Sequence, residues 1–140
     1  GSASNAMVTD GRRLYVGFDA GAGDEVEVWS MASGGKYAGM ELGANCKSLA
    51  VDSDFLYVVI DANPGVFALD KSTFVVVWRY SDGASPGADV RVAADGTAVF
   101  LSGSGTELRR LYRGNRAKVW RRVDPSDTHL PYRQLIIPEE

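Results

Sequence analysis

Apolar residues in this chain come in short bursts separated by turn-forming residues, not along a helical stripe. Three nine-residue stretches, 10–18 (DGRRLYVGF), 52–60 (DSDFLYVVI) and 94–102 (ADGTAVFLS), align without gaps at a step of 42 residues. Each opens on a turn and runs into a segment rich in Val, Tyr or Phe, the composition of a β-strand. Asp10-Gly11 and Asp95-Gly96 suit tight hairpins, because glycine accepts the positive φ such turns need. No apolar period of 3.6 residues lasts long enough to predict a helix.

The flanks repeat as well. A short apolar strand precedes each turn, at 7–8, 49–51 and 90–92, and a Gly-, Asp- or Ser-rich loop follows each repeated strand, at 19–24, 61–65 and 103–105. Two further strands complete each unit: 66–69 and 75–80 in the second, 108–112 and 117–123 in the third, and, in looser register, 26–29 and 37–42 in the first. Trp78 and Trp120 again lie 42 residues apart. Each unit therefore reads as a four-stranded antiparallel meander, and a period near 42 with four strands per unit is the pattern of a propeller blade. The expected fold is all-β: three propeller-like blades (units 7–47, 48–89 and 90–130) plus a tail strand at 134–137, a partial β-propeller in a single domain. A small β-barrel or sandwich is the alternative.

The second unit carries the most specific signal. VFALD at 66–70, a short turn, and VWRY at 77–80 resemble the repeat of pyrroloquinoline-quinone-type propellers, with matching distance from Asp70 to Trp78. The resemblance is sharp only over residues 56–80. It implies a blade whose outer-strand Trp packs against a neighbouring blade. The third unit keeps Trp120-Arg121 but has Tyr112 at the Asp70 position, the first has Ala38-Gly39-Met40 where a Trp would fall, and Phe74 stands where the family usually turns on glycine. None of the quinone or metal ligands of the family's dehydrogenases carries over, so their activity is not implied.

Composition refines this picture. With 140 residues, 45% hydrophobic and 24% charged, the chain has the size and balance of one globular domain. Residues 1–6 (GSASNA) resemble an expression-tag scar ahead of Met7 and are set aside. Cys46 is the sole cysteine, so no internal disulfide forms, and it reads as a small packed thiol. The net charge of −3 is uneven: residues 1–70 hold ten acids and four bases, residues 71–140 eight acids and eleven bases. This dipole favours attraction between the halves or toward a partner.

Candidate chemistry is thin. His129 is the only histidine, and with one cysteine beside it a four-ligand zinc site of nitrogen and sulfur donors is excluded within one chain. Residues 39–48 lack the spacing of a phosphate loop, and Gly103-Ser104-Gly105 is not a nucleophile elbow. Asp19, Asp24, Glu25 and Asp61 sit in loops that a propeller would gather at one end, where oxygen ligands suit calcium; ordinary turn hydrogen bonding is the favoured explanation of them. The most unusual feature is a basic cluster, Arg109, Arg110, Arg113, Arg116, Lys118, Arg121 and Arg122, on the last two strands of unit three and the turn between them. It reads as a charged guard on an edge strand or as a surface for an acidic partner, with nucleic acid the weakest option.

These features predict a non-catalytic interaction or assembly module, with no catalytic, cofactor or metal residues, that binds a protein partner or itself. The alternative is a fragment of a larger propeller enzyme or sensor, quinone- or metal-dependent, whose site needs further blades. A small ligand-binding barrel is a weaker third reading.

Overall fold

The structure, a computed structural model, describes residues 4–21, 23–62, 65–80, 91–96, 98–102, 107–112 and 118–123. Among these the chain forms twelve strands and no helix: β1 (Ser4–Thr9), β2 (Arg13–Phe18), β3 (Val26–Ser30), β4 (Lys36–Met40), β5 (Cys46–Val51), β6 (Phe55–Ile60), β7 (Val66–Asp70), β8 (Val76–Tyr80), β9 (Arg91–Ala94), β10 (Ala98–Ser102), β11 (Glu107–Tyr112) and β12 (Lys118–Val123). They pair antiparallel in sequence order into three sheets of four, β1–β4, β5–β8 and β9–β12. The meanders expected from the sequence are therefore present, as an open series of three blades and not a closed barrel. The tail strand expected at 134–137 and His129 lie outside the described residues. β1 begins at Ser4, so it takes in three of the leading residues set aside as a tag scar. Asn5 donates from its side chain to the Cys46 carbonyl of the next blade at 3.2 Å.

Hydrogen bonding corrects the repeat by one residue. The β1–β2 turn is closed by Asp10 N to Arg13 O, the β5–β6 turn by Asp52 N to Phe55 O, and the β9–β10 turn by Asp95 N to Ala98 O. Asp95, not Ala94, is thus the third counterpart of Asp10, and the step from the second to the third unit is 43 at this turn. A connection one residue shorter after β10 (four residues, against five after β6) restores 42 by the time Trp120 is reached. The ungapped match at Ala94 concealed this because both neighbouring registers place apolar residues on a strand. With the correction, Tyr15, Tyr57 and Phe100 are equivalent.

Blade stacking creates two apolar layers. Tyr15, Val26 and Val28 of the first blade meet Leu49, Leu56, Val58, Phe67 and Leu69 of the second. On the opposite face of the second blade, Tyr57, Val59, Ala68, Trp78 and Tyr80 meet Val92, Val99, Leu101 and Leu111 of the third. The two faces come from the alternation of side chains along each strand. β1 and β2 lie against β5, and β5 and β6 against β9, so the blades contact along their first strands. There the Ser48 hydroxyl of β5 accepts a hydrogen bond from Val92 N of β9 at 3.1 Å. The approach is tight: a Cβ at Gly17 would sit 2.5 Å from Cys46 Sγ.

Candidate interaction surfaces

An antiparallel meander sends alternate connections to opposite ends of a blade. The turns after β1, β3, β5 and β7 share one end; the loops after β2, β4 and β6 share the other. Polar chemistry at the turn end is built around Asp10. Its Oδ1 accepts from the backbone N–H groups of Arg12 and Arg13 at 3.0 and 2.9 Å, an Asx turn that fixes the hairpin. Its Oδ2 accepts from the Tyr15 hydroxyl at 3.1 Å and pairs with Lys71 Nζ of the second blade at 2.7 Å. Lys71 Nζ also donates to the Asp52 carbonyl at 2.8 Å, and Arg13 Nη1 donates to the Lys71 carbonyl at 3.0 Å. Burial raises the Asp10 carboxyl, but the bond from Lys71 and the backbone donors of Arg13 and Arg12 outweigh it and hold Asp10 well below the ordinary carboxylate range. Burial, the Asp10 charge and the hydrogen bond to Asp10 push the Tyr15 hydroxyl up to about 12. Asp52 repeats the motif within the second blade, bonding Asp54 N, Phe55 N and the Tyr57 hydroxyl.

Two grooves open at this end. One, of about 340 Å³, is lined by Asp10, Arg12, Arg13, Asp54, Asp70 and Lys71 among others. The other, of about 510 Å³, lies on the first blade and is lined by Gly11, Arg12, Arg13, Ser30, Met31, Ala32 and Tyr37. The Arg13 guanidinium lies 4.0 Å over the Tyr37 ring, and Tyr37 meets Phe74 of the second blade edge-on at 6.2 Å.

The acidic loop residues share the other end, as the sequence predicts, but are engaged separately. Asp19 pairs with Lys47 and accepts from Asn5, Asp24 pairs with Lys36, and the buried Glu25 accepts from Leu42 N and Gly43 N. Asp61 uses its backbone N–H on the Asn45 carbonyl. Among the described residues no three acids, cysteines or histidines gather as a metal cage. Cys46 is fully buried, and burial pushes its thiol up to about 12, which makes it a poor nucleophile. Residues 39–48 run from the end of β4 into β5, with no helix of the kind a phosphate loop requires.

Of the basic cluster, Arg109, Arg110, Lys118, Arg121 and Arg122 stand on paired strands, with Arg109 opposite Arg121, Leu108 opposite Arg122 and Leu111 opposite Lys118. Arg113 and Arg116 lie outside the described residues.

A third surface escaped the sequence reading. Met7, Leu14, Val16 and Trp29 stand on the face of the first blade that looks away from the second. By register they are equivalent to Leu49, Leu56, Val58 and Leu69, the surface of the second blade that the first blade covers. Met7 is 64% exposed and Leu14 and Trp29 are half-buried, whereas Val16 is already buried beneath its neighbours at 7%; among the described residues no sheet lies against this face. Thr9, Glu27 and Lys36 replace Val51, Phe67 and Val76 at its margins, so it is less apolar than its buried counterpart.

No family model and no curated protein matches the chain. Many solved structures do. BamB from Moraxella catarrhalis aligns with a TM-score of 0.69 at 20% identity, over 87% of this chain and 38% of that one. Hydrazine synthase from Kuenenia stuttgartiensis gives 0.72 at 19% identity, over 89% and 36%. Sqt1 from Saccharomyces cerevisiae gives 0.71 at 14% identity, over 91% and 37%. These are β-propeller proteins, and at such identities the likeness shows the fold: an all-β partial propeller. The chain spans less than two fifths of each of them.

Proposed function

We propose that the chain is a non-catalytic propeller-type module that binds a protein partner or a second copy of itself. The observation that carries this reading is the outward face of the first blade, where Met7, Leu14, Val16 and Trp29 reproduce a surface that the second blade keeps under cover. Propellers close with roughly four to eight blades, and a repeated face of this kind is shaped to receive another sheet. The basic pair of strands β11 and β12, carrying Arg109, Arg110, Lys118, Arg121 and Arg122, supplies charge for an acidic partner or for the acidic half of another copy. Light scattering at high protein concentration tests self-association: a mass above one chain is expected, and a strictly monomeric mass rules it out. A variant reversing charge at Arg109, Arg113 and Arg121 is expected to weaken that association or partner binding; unchanged binding of every partner removes these strands from the surface.

A second reading keeps the fold and changes the role. The chain spans under two fifths of BamB, hydrazine synthase and Sqt1, which is compatible with its being part of a larger propeller enzyme or sensor, quinone- or metal-dependent, whose site is completed by other blades. Four or more further units of the same period in the parent reading frame support that reading; their absence removes it.

A further inference from the structure

Residues 1–70 carry only four basic side chains, and their placement is uneven. Lys36 is held by Asp24 and Glu27 at 3.1 and 3.6 Å, and Lys47 by Asp19 at 3.9 Å. Arg12 and Arg13 have no carboxylate within ion-pair distance among the described residues. Arg13 is engaged by the Lys71 carbonyl and the Tyr37 ring, whereas Arg12 is exposed and lines both grooves. Beside it stand two of the most exposed large apolar side chains, Met31 at 53% and Tyr37 at 54%. A cation next to a shallow apolar floor matches a carboxylate next to an apolar side chain.

Backbone strain supplies an independent observation. The β3–β4 and β7–β8 turns have the same hydrogen bond, Gly34 N to Ser30 O and Phe74 N to Asp70 O. Gly34 takes φ of 73° without penalty, whereas Phe74 is the one described non-glycine residue at positive φ, 60°. A bulky residue is strained in that conformation, and such strain concentrates at functional sites. Phe74 sets its ring edge-on to Tyr37 and 6.0 Å from the Arg13 guanidinium, and so braces the groove wall from the second blade.

We propose that this groove binds an extended segment of a partner protein in which an Asp or Glu lies within a few residues of a large apolar side chain. The carboxylate pairs with Arg12 and the apolar group seats between Met31 and Tyr37. The proposal rests on the reading of the chain as a protein-binding module and adds the chemistry of the partner.

The test uses fluorescein-labelled nonapeptides in a Gly-Ser background, each with one Phe or Leu and one Asp or Glu one to four positions apart. Matched sets carry Lys for the acid or Ala for the apolar residue. Fluorescence polarisation is expected to show the acidic-apolar set binding at least tenfold tighter than either matched set. Arg12→Glu and Met31→Asp, both at exposed positions, are each expected to weaken binding tenfold or more while the thermal midpoint stays put. Equal affinity for acidic and basic peptides, no binding by any peptide, or an Arg12→Glu affinity within twofold of the parent overturns the groove assignment. Met7→Glu on the open face of the first blade separates the two readings. Binding lost there but kept in Arg12→Glu sinks the groove and leaves the module standing, whereas binding lost in neither variant removes both surfaces from the module.

Discussion

Asp10 shows how one carboxylate links a local turn to the stacking of two blades. One oxygen holds the β1–β2 hairpin, and the other takes Tyr15 from below and Lys71 from the neighbouring blade. Because these donors favour the charged form, the folded state holds Asp10 below its unfolded value of 3.8. The sign follows: the stabilisation is fully present above the unfolded value and is lost as pH falls through the folded one. Asp10→Asn keeps much of the turn but leaves Lys71 without its anion. It is expected to lower stability by about 1–2 kcal/mol at neutral pH, the range of a charge-assisted bond that is not fully buried. Urea unfolding of both proteins from pH 7 down to about 2.5 checks this: the gap should shrink below about pH 4. A gap that stays constant across that range shows that Asp10 acts through shape and not charge. Phe100 at the equivalent position of the third blade lacks the hydroxyl, so only the first two blades show this Asp–Tyr pairing among the described residues.

Between elements, the two tryptophans of known surroundings separate blade-to-blade packing from surface decoration. Trp78 on β8 is 6% exposed, lies 6.1 Å from the Tyr57 ring and belongs to the layer against the third blade. Trp29 on β3 is on the open face and bonds Glu27 through its indole N–H at 3.1 Å. Trp78→Ala is expected to cost about 3–5 kcal/mol in denaturant unfolding, the range for a buried large-to-small change, and Trp29→Ala clearly less. Equal losses would place both residues in the same kind of environment. The role of Trp78 was legible in the sequence, because VWRY after VFALD carries the spacing of a blade's outer strand. The blade count and strand order were legible too, since a period of two within a period of 42 leaves few alternatives. The shift to 43 at Asp95 was not, because a deletion in the next loop cancels it before Trp120. Neither was the Asp10–Lys71 pair, which joins residues 61 positions apart and depends on how blades stack, not on any local pattern. The groove at Arg12 stayed hidden for a related reason: it joins the β1–β2 and β3–β4 turns of the first blade, about twenty residues apart in sequence, and Phe74 of the second blade meets Tyr37 only once the blades stack. Phe74 itself was visible as an oddity at a glycine position, but its conformation was not.

For the whole molecule, the decisive asymmetry is that the middle blade is covered on both faces and the first on one. The second blade contributes Leu56, Val58 and Leu69 to one apolar layer and Tyr57, Val59 and Trp78 to the other, all of them buried. In a repeat protein each unit draws its stability from its neighbours, so opening free energies should fall from the middle outward. Amide hydrogen exchange is expected to be slowest in β6 and faster in β1 and β2. The proposed association makes a further demand on the same measurement. If a second copy covers Met7 and Leu14, protection of β1 and β2 must rise with protein concentration, while β6 is already at its limit and barely changes. Because residues 1–70 are net acidic and residues 71–140 net basic, a head-to-tail contact brings unlike charge together, and added salt should reverse the gain. Protection in β1 and β2 that is independent of concentration and of salt would mean that the open face takes no second copy, and that whatever the first blade receives is a different protein.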